Sequence, residues 1–125
     1  MSVKVCKFGG SSLASAAQVR KVAAIVQSQA ARRFVVPSAP GRRDKHDQKV
    51  TDLLYLCHEH AKQELPLDQV FGRIRERLTS MIAELGVSLV LGPALTEAGA
   101  GSGQASGVGL FFRFIPLVQL FSSAL

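Results

Sequence analysis

Val3-Lys4-Val5-Cys6-Lys7-Phe8-Gly9-Gly10-Ser11-Ser12 opens the chain with a short apolar run that ends in two glycines and two hydroxyls. Val3 to Cys6 alternates with the period of two that a strand requires. The paired glycines let the backbone turn sharply and expose bare N–H groups to a ligand. Successive amides in such a turn form a concavity that holds an oxyanion, and Lys7 adds a full positive charge. Phosphate suits that set. The Walker pattern is absent, since no Gly-Lys-Ser/Thr follows at the required spacing. On their own these residues leave open a plainer alternative, a tight strand-to-helix turn with a surface lysine.

Ser15-Ala16-Ala17-Gln18 follows with the form of a capping box, Ser15 as the cap and Gln18 reaching back. The helix it starts is expected to run to about Ala31, with Val19, Val22, Ala23 and Val26 as its apolar stripe. Phe34-Val35-Val36 then reads as a buried parallel strand. Strand, crossover helix and strand make a right-handed βαβ unit. Pro37 offers no ladder hydrogen bond, so this strand must end at Val36 or lie at an edge. A charged loop, Ser38 to Lys49, leads to a second helix with Val50, Leu53, Leu54, Cys57 and Ala61 on one face. Pro66 and Asp68 mark a break and a restart. A third helix carries Val70, Ile74, Leu78, Met81, Ile82 and Leu85 on its apolar side and Arg73, Glu76 and Arg77 on the other, with Gly86 as its stop.

The 125 residues suit one domain by length, and a hydrophobic fraction of 47% supplies a core. The net charge of +6 sits entirely in residues 1–60, which carry ten Lys/Arg against four Asp/Glu. Such a concentration, densest from Arg32 to Lys49, points to an anionic partner, a nucleotide polyphosphate or a nucleic acid. The cluster Arg42, Arg43, Lys45 and Lys49, diluted by Asp44 and Asp47, also fits a solvated loop. Cys6 and Cys57 have neither disulfide-framework nor zinc spacing and read as small buried hydrophobes of a reducing compartment. His58 and His60 are two apart on a helix and cannot share a metal, and His46 has no assigned role. No secretory signal is visible, and the apolar segment Val108 to Leu125 is interrupted by Arg113, Pro116 and Gln119. A cytoplasmic protein without membrane or nucleic-acid partners is therefore expected.

Three motifs in register now carry a resemblance: Lys7-Phe8-Gly9-Gly10-Ser11-Ser12, Ser38-Ala39-Pro40-Gly41, and Val50-Thr51-Asp52-Leu53-Leu54. Together they resemble aspartate kinase, of the amino acid kinase superfamily, over about residues 3–86. The resemblance implies an α/β fold, part of a three-layer sandwich on a parallel sheet. It implies ATP-dependent phosphorylation of the L-aspartate side-chain carboxylate to 4-phospho-aspartate, the step that opens lysine, threonine and methionine synthesis. Carried over by position, Lys7 is the catalytic contact to the transferring phosphoryl group. Lys7, Phe8, Gly9, Gly10 and Ser11 bind ATP, and Ser38 and Thr51 lie at the aspartate site. Thr51 could equally cap the second helix, and Ser38 could merely end a strand. Mg²⁺ and a possible homo-oligomer are implied by the family, with no metal ligand assigned in this chain. Another superfamily member, or a non-catalytic module whose basic loop binds nucleic acid, is the alternative.

The likeness stops at about Gly86. The family continues through a Ser-Arg-Gly-Glu-type segment and the second half of the catalytic domain, whereas residues 87–125 read as an unrelated Gly/Ala/Ser-rich linker and an irregular apolar tail. Beyond Leu85 the only acidic residue is Glu97 and the only basic one is Arg113. A frameshift or truncated gene would produce such a junction, and the chain alone is expected to be inactive.

Overall fold

The computed structural model of the chain describes residues 2–88. The linker and tail expected at 87–125 lie, from residue 89 onward, outside the described residues. The described part is α/β: strand β1 (Lys4–Phe8), a single 3-10 turn (Gly10–Leu13), helix α1 (Ala16–Gln27), strand β2 (Arg32–Pro37), helix α2 (Val50–Lys62) and helix α3 (Asp68–Leu85).

The two strands pair in parallel, with Val5 opposite Phe34, Lys7 opposite Val36 and Phe8 opposite Pro37. Pro37 is accommodated because only β1 flanks β2 among the described residues, and the next amide, Ser38 N–H, donates to Phe8 O at 3.0 Å. The strand therefore runs one residue past the expected stop. It is also less buried than its continuous apolar run predicts. Cys6, Phe8, Val35 and Pro37 are half-buried, while Val5, Phe34 and Val36 are exposed. Alternation along each strand puts the exposed set, with Lys7, on the sheet face away from the helices.

Ser15 caps α1 as expected, its Oγ accepting from Gln18 N–H at 3.4 Å. The helix ends at Gln27, four residues earlier than its sequence suggests. Arg32 and Ser28 explain the early stop. Ser28 Oγ donates to Ile25 O at 2.8 Å, and Arg32 Nη1 donates to Ser28 Oγ at 2.7 Å and also to Ile25 O. The Ile25 carbonyl at the helix end is thereby satisfied by side chains in place of a further helical amide. Gly86, in the left-handed region at φ 68°, ends α3 where predicted.

Among the described residues, two clusters make the core. Leu13, Ala16, Val19, Val22 and Met81 pack with Phe8, Val26 and Leu85, joining the sheet to α1 and α3. Val50, Leu53, Leu54, Cys57, Val70, Phe71, Ile74 and Leu78 join α2 to α3. Cys57 is buried as expected, and burial pushes its thiol up. Cys6 is only half-buried. Among the described residues, no helix is long and apolar enough to cross a membrane.

Candidate active site

At the carboxyl end of the two strands an open cleft of about 530 Å³ is lined by Gly10, Ser11, Ser38, Ala39, Pro40, Gly41, Arg42, Lys49 and Thr51. Its volume lies within the roughly 300–1,000 Å³ typical of small-molecule sites. Three segments distant in sequence meet there, and main-chain bonds hold them. Gly41 N–H donates to Gly10 O at 2.8 Å, Ser38 N–H to Phe8 O at 3.0 Å, and Val50 N–H to Pro40 O at 3.1 Å. The Ser38–Gly41 segment is thereby stitched to the glycine turn on one side and to the start of α2 on the other.

The glycines play different parts. Gly9 has an extended backbone (φ −77°, ψ 172°), and a Cβ there would meet nothing within 4 Å. Its bareness leaves open space beside the turn. Gly10 starts the 3-10 turn and needs closeness instead: a Cβ on it would stand 3.0 Å from Ala39 O and 3.1 Å from Gly41 Cα. Neither residue is used for a left-handed conformation.

Four of the expected site residues, Gly10, Ser11, Ser38 and Thr51, share the cleft. The cap of α2 is Lys49, without a side-chain cap bond, so Thr51 stands inside the first turn and is not the cap. Lys7, Phe8 and Gly9 do not line the cleft. Phe8 sends its ring into the core. Lys7 is exposed near the end of β1 and, among the described residues, makes no ion pair or side-chain hydrogen bond.

The basic loop divides its charge. Arg42 and Lys49 line the cleft. Arg43 turns to Asp47, with Nε–Oδ2 at 2.9 Å and Nη2–Oδ1 at 3.1 Å, while its own amide donates to Oδ2 at 3.0 Å. These bonds, with Arg77 Nη2 at 3.3 Å, hold the Asp47 carboxyl well below the usual carboxylate range against the opposing effect of its burial.

Arg77 is the residue the sequence misplaces. Expected on the polar side of α3, it is 6% exposed. Nη1 donates to Gln48 O at 2.6 Å, and Nη2 donates to Ala14 O at 3.2 Å and to Gly41 O. Burial lowers the Arg77 guanidinium from its ordinary value and nearby Asp47 raises it. A helical period gives the missing signal, because Val70, Ile74, Arg77 and Met81 fall at i, i+4, i+7 and i+11. Beside it a smaller cleft of about 220 Å³ is lined by residues that include Arg43, Asp47, Arg73, Glu76 and Arg77.

No protein-family profile matches the chain. Aspartokinase 3 of Bacillus subtilis (strain 168) is 61% identical over 95 residues, which is 76% of this chain and 20% of that protein. A crystal structure of Clostridium acetobutylicum aspartate kinase, described as an important allosteric enzyme, aligns with a TM-score of 0.89 and 39% identity. That alignment covers 97% of this chain and 28% of the other.

The chain belongs to the aspartate kinase family. It matches an N-terminal part, and it spans about a fifth of the length of the curated relative. The α/β arrangement of this aspartate kinase segment, a parallel strand pair with three helices, agrees with the fold expected from its motifs. The Mg²⁺ that the resemblance implies finds no fitting ligand set among the described residues. The cleft offers hydroxyls, amides and cations, the nearby Asp47 is committed to Arg43 and Arg77, and no group of three or more His, Cys, Asp or Glu is placed to hold a metal.

Proposed function

We propose that this cleft is the N-terminal half of a site that phosphorylates the side-chain carboxylate of L-aspartate with ATP. The observation that carries the proposal is the meeting of Gly10 and Ser11 with Ser38 and Thr51 around one cleft that also presents Arg42 and Lys49. A carboxylate oxygen of aspartate attacks the γ-phosphorus. The bond from that phosphorus to the β,γ-bridging oxygen breaks, and its electron pair leaves on ADP. The product is the acyl phosphate 4-phospho-aspartate. The carboxylate is already ionised at neutral pH, so no general base is required.

In such a transfer the protein mainly positions the reactants and neutralises charge on the phosphoryl oxygens. The amides of Gly9, Gly10 and Ser11 suit the phosphates, and the bare Cα of Gly9 allows close approach. Lys7, exposed on a flexible four-carbon stem, is the catalytic contact to the transferring group. Ser38 and Thr51 hydrogen-bond aspartate. The arrangement of the basic loop supports this small-ligand reading over a nucleic-acid surface, because Arg43 is spent on Asp47 while Arg42 and Lys49 line the cleft.

The chain spans about a fifth of the curated relative's length, so the reading concerns the part of the site that this segment supplies. The reading is tested by replacing the matching segment of Bacillus subtilis Aspartokinase 3 with residues 3–86. The folded chimera should form ADP in an aspartate-dependent way, and Lys7→Ala should reduce kcat by about a hundredfold or more, the scale of losing one charge-stabilising donor. A chimera with native circular dichroism and no aspartate-dependent turnover would overturn the reading.

A further inference from the structure

We infer that Arg77 is a positioning residue for the cleft, setting the distance between the glycine turn and the Ser38–Lys49 loop from behind. The inference rests on the reading of the cleft as a ligand site for what it says about binding, but not for what it says about the loop.

Arg77 lies on the apolar stripe of α3, among Val70, Phe71, Ile74, Leu78 and Met81, where a leucine or methionine would fill the same space. Taking a guanidinium out of water is unfavourable unless it is well paired, so packing alone does not account for it. Its partners do. Ala14 O ends the segment that follows the 3-10 turn, Gly41 O belongs to the Ser-Ala-Pro-Gly stretch, and Gln48 O comes one residue before the Lys49 cap of α2. Asp47 closes the set at 3.3 Å. One side chain therefore fixes four points on the three segments that frame the cleft.

The fixing is directional. Gly41 uses its N–H on Gly10 O, towards the glycine turn, and its C=O on Arg77, towards α3. The peptide groups on either side of Gly41 are thus held from opposite directions. Gly10 and Ser11 on one wall, and Ser38 and Thr51 on the other, keep their separation only while both bonds persist. Asp47 in turn is held by Arg43, so the loop is cross-braced between a surface arginine and a buried one. Arg77 does not itself line the cleft, which is why its role is positioning and not contact.

The test uses the full chain with Arg77→Lys, Arg77→Met and, as a control for general destabilisation, Ile74→Val. Amide hydrogen exchange at Gly41 and Val50 reads the loop, exchange at Leu54 and Leu78 reads the helical core, and calorimetric titration with ATP reads the cleft. In Arg77→Met, Gly41 and Val50 should exchange about tenfold faster relative to the core amides, and ATP affinity should fall about tenfold, as loss of charge-assisted bonds predicts. Arg77→Lys, which keeps a charge for Asp47 but not the fork, should fall between. Ile74→Val should lower the melting temperature without moving the exchange ratio or the affinity.

Unchanged loop exchange in folded Arg77→Met overturns the inference, as does unchanged ATP affinity in a wild-type chain that binds ATP. If Arg77→Met does not fold, Arg77→Lys decides on the same two readouts. A wild-type chain that binds no ATP counts against the functional reading, and the exchange ratios then judge Arg77 alone.

Discussion

Gly41 and Gly10 meet with no room for a side chain between them: the Gly41 amide donates to Gly10 O at 2.8 Å, and a Cβ on Gly41 would stand 2.6 Å from the Gly10 carbonyl carbon. The second glycine of the opening motif and the glycine of the Ser-Ala-Pro-Gly motif are thus a matched pair, although thirty residues of helix and strand separate them in sequence. The atoms in the way are backbone, which cannot swing aside as a side chain would.

Gly41→Ala should therefore destabilise the chain by about 3 kcal/mol, the upper end of overpacking costs. Gly10→Ala, with its nearest contact at 3.0 Å, should cost less. Gly9→Ala should leave stability within about 0.5 kcal/mol, since open space surrounds that position and its backbone is extended. Urea denaturation of the three variants checks the order. Equal losses at 9 and 41 would contradict the packing described for the turn.

Asp47 gives a pH dependence of known sign. Chiefly through Arg43, and also through Arg77, its carboxyl is held below its unfolded value of about 3.9. A carboxylate with a depressed folded value contributes stability that is complete above the unfolded value and is lost as the pH falls towards the folded one. Arg43 is half exposed, so solvent screens that partner, and the buried Arg77 makes the contact matter. Asp47→Asn should cost about 2 kcal/mol at pH 7, and its stability should converge on that of the wild type as the pH is lowered from about 4.5 to about 2. Thermal melts across that range check it. A constant gap between the two proteins would show that Asp47 is not ionically coupled in the fold.

Much of this was legible in the sequence, because local rules governed it. The Ser15 cap, the start of α2 at Val50, the Gly86 stop and the parallel strand pair follow from capping chemistry and hydrophobic period. Three motifs sufficed to bring Ser11, Ser38 and Thr51 to one place. What was not legible depended on tertiary partners. Arg77 carries the residue type of a surface and the helical phase of a core, and only the carbonyls of Ala14, Gly41 and Gln48 decide between them. The early end of α1 depended on Arg32, which lies beyond the helix and reaches back. The exposure of Phe34 and Val36 depended on what lies over the sheet, which a strand's own pattern does not state.

The contact between α2 and α3 sets the stability of the back of the cleft. Ile74 is fully buried there, among Val50, Leu53, Leu54, Cys57, Val70, Phe71 and Leu78. Ile74→Ala should cost about 2–5 kcal/mol through lost transfer energy and the cavity left behind. Against the roughly 5–15 kcal/mol of a typical domain, such a loss removes a large part of the total. Chemical denaturation followed by circular dichroism reads it directly. A loss under about 1 kcal/mol would show that α2 and α3 do not pack as described.

The outward face of the sheet carries the last prediction. Val5 and Phe34 are cross-strand partners, 68% and 59% exposed, and Val36 extends the same face. Contiguous apolar surface of this kind binds hydrophobic probes and drives association. Lys7 stands on this face opposite Val36, so whatever covers the face also controls the surroundings of the proposed catalytic ammonium. Val5→Thr with Phe34→Thr keeps β-favouring side chains in both strands while removing most of the apolar area. The double variant should bind several-fold less of a hydrophobic fluorescent dye and self-associate less at equal concentration, with little change in melting temperature because both side chains are mostly exposed. Dye fluorescence and sedimentation velocity measure both effects. Dye binding that survives the substitutions would place the adhesive surface elsewhere, and a large drop in melting temperature would mean that Val5 and Phe34 are buried against something in solution.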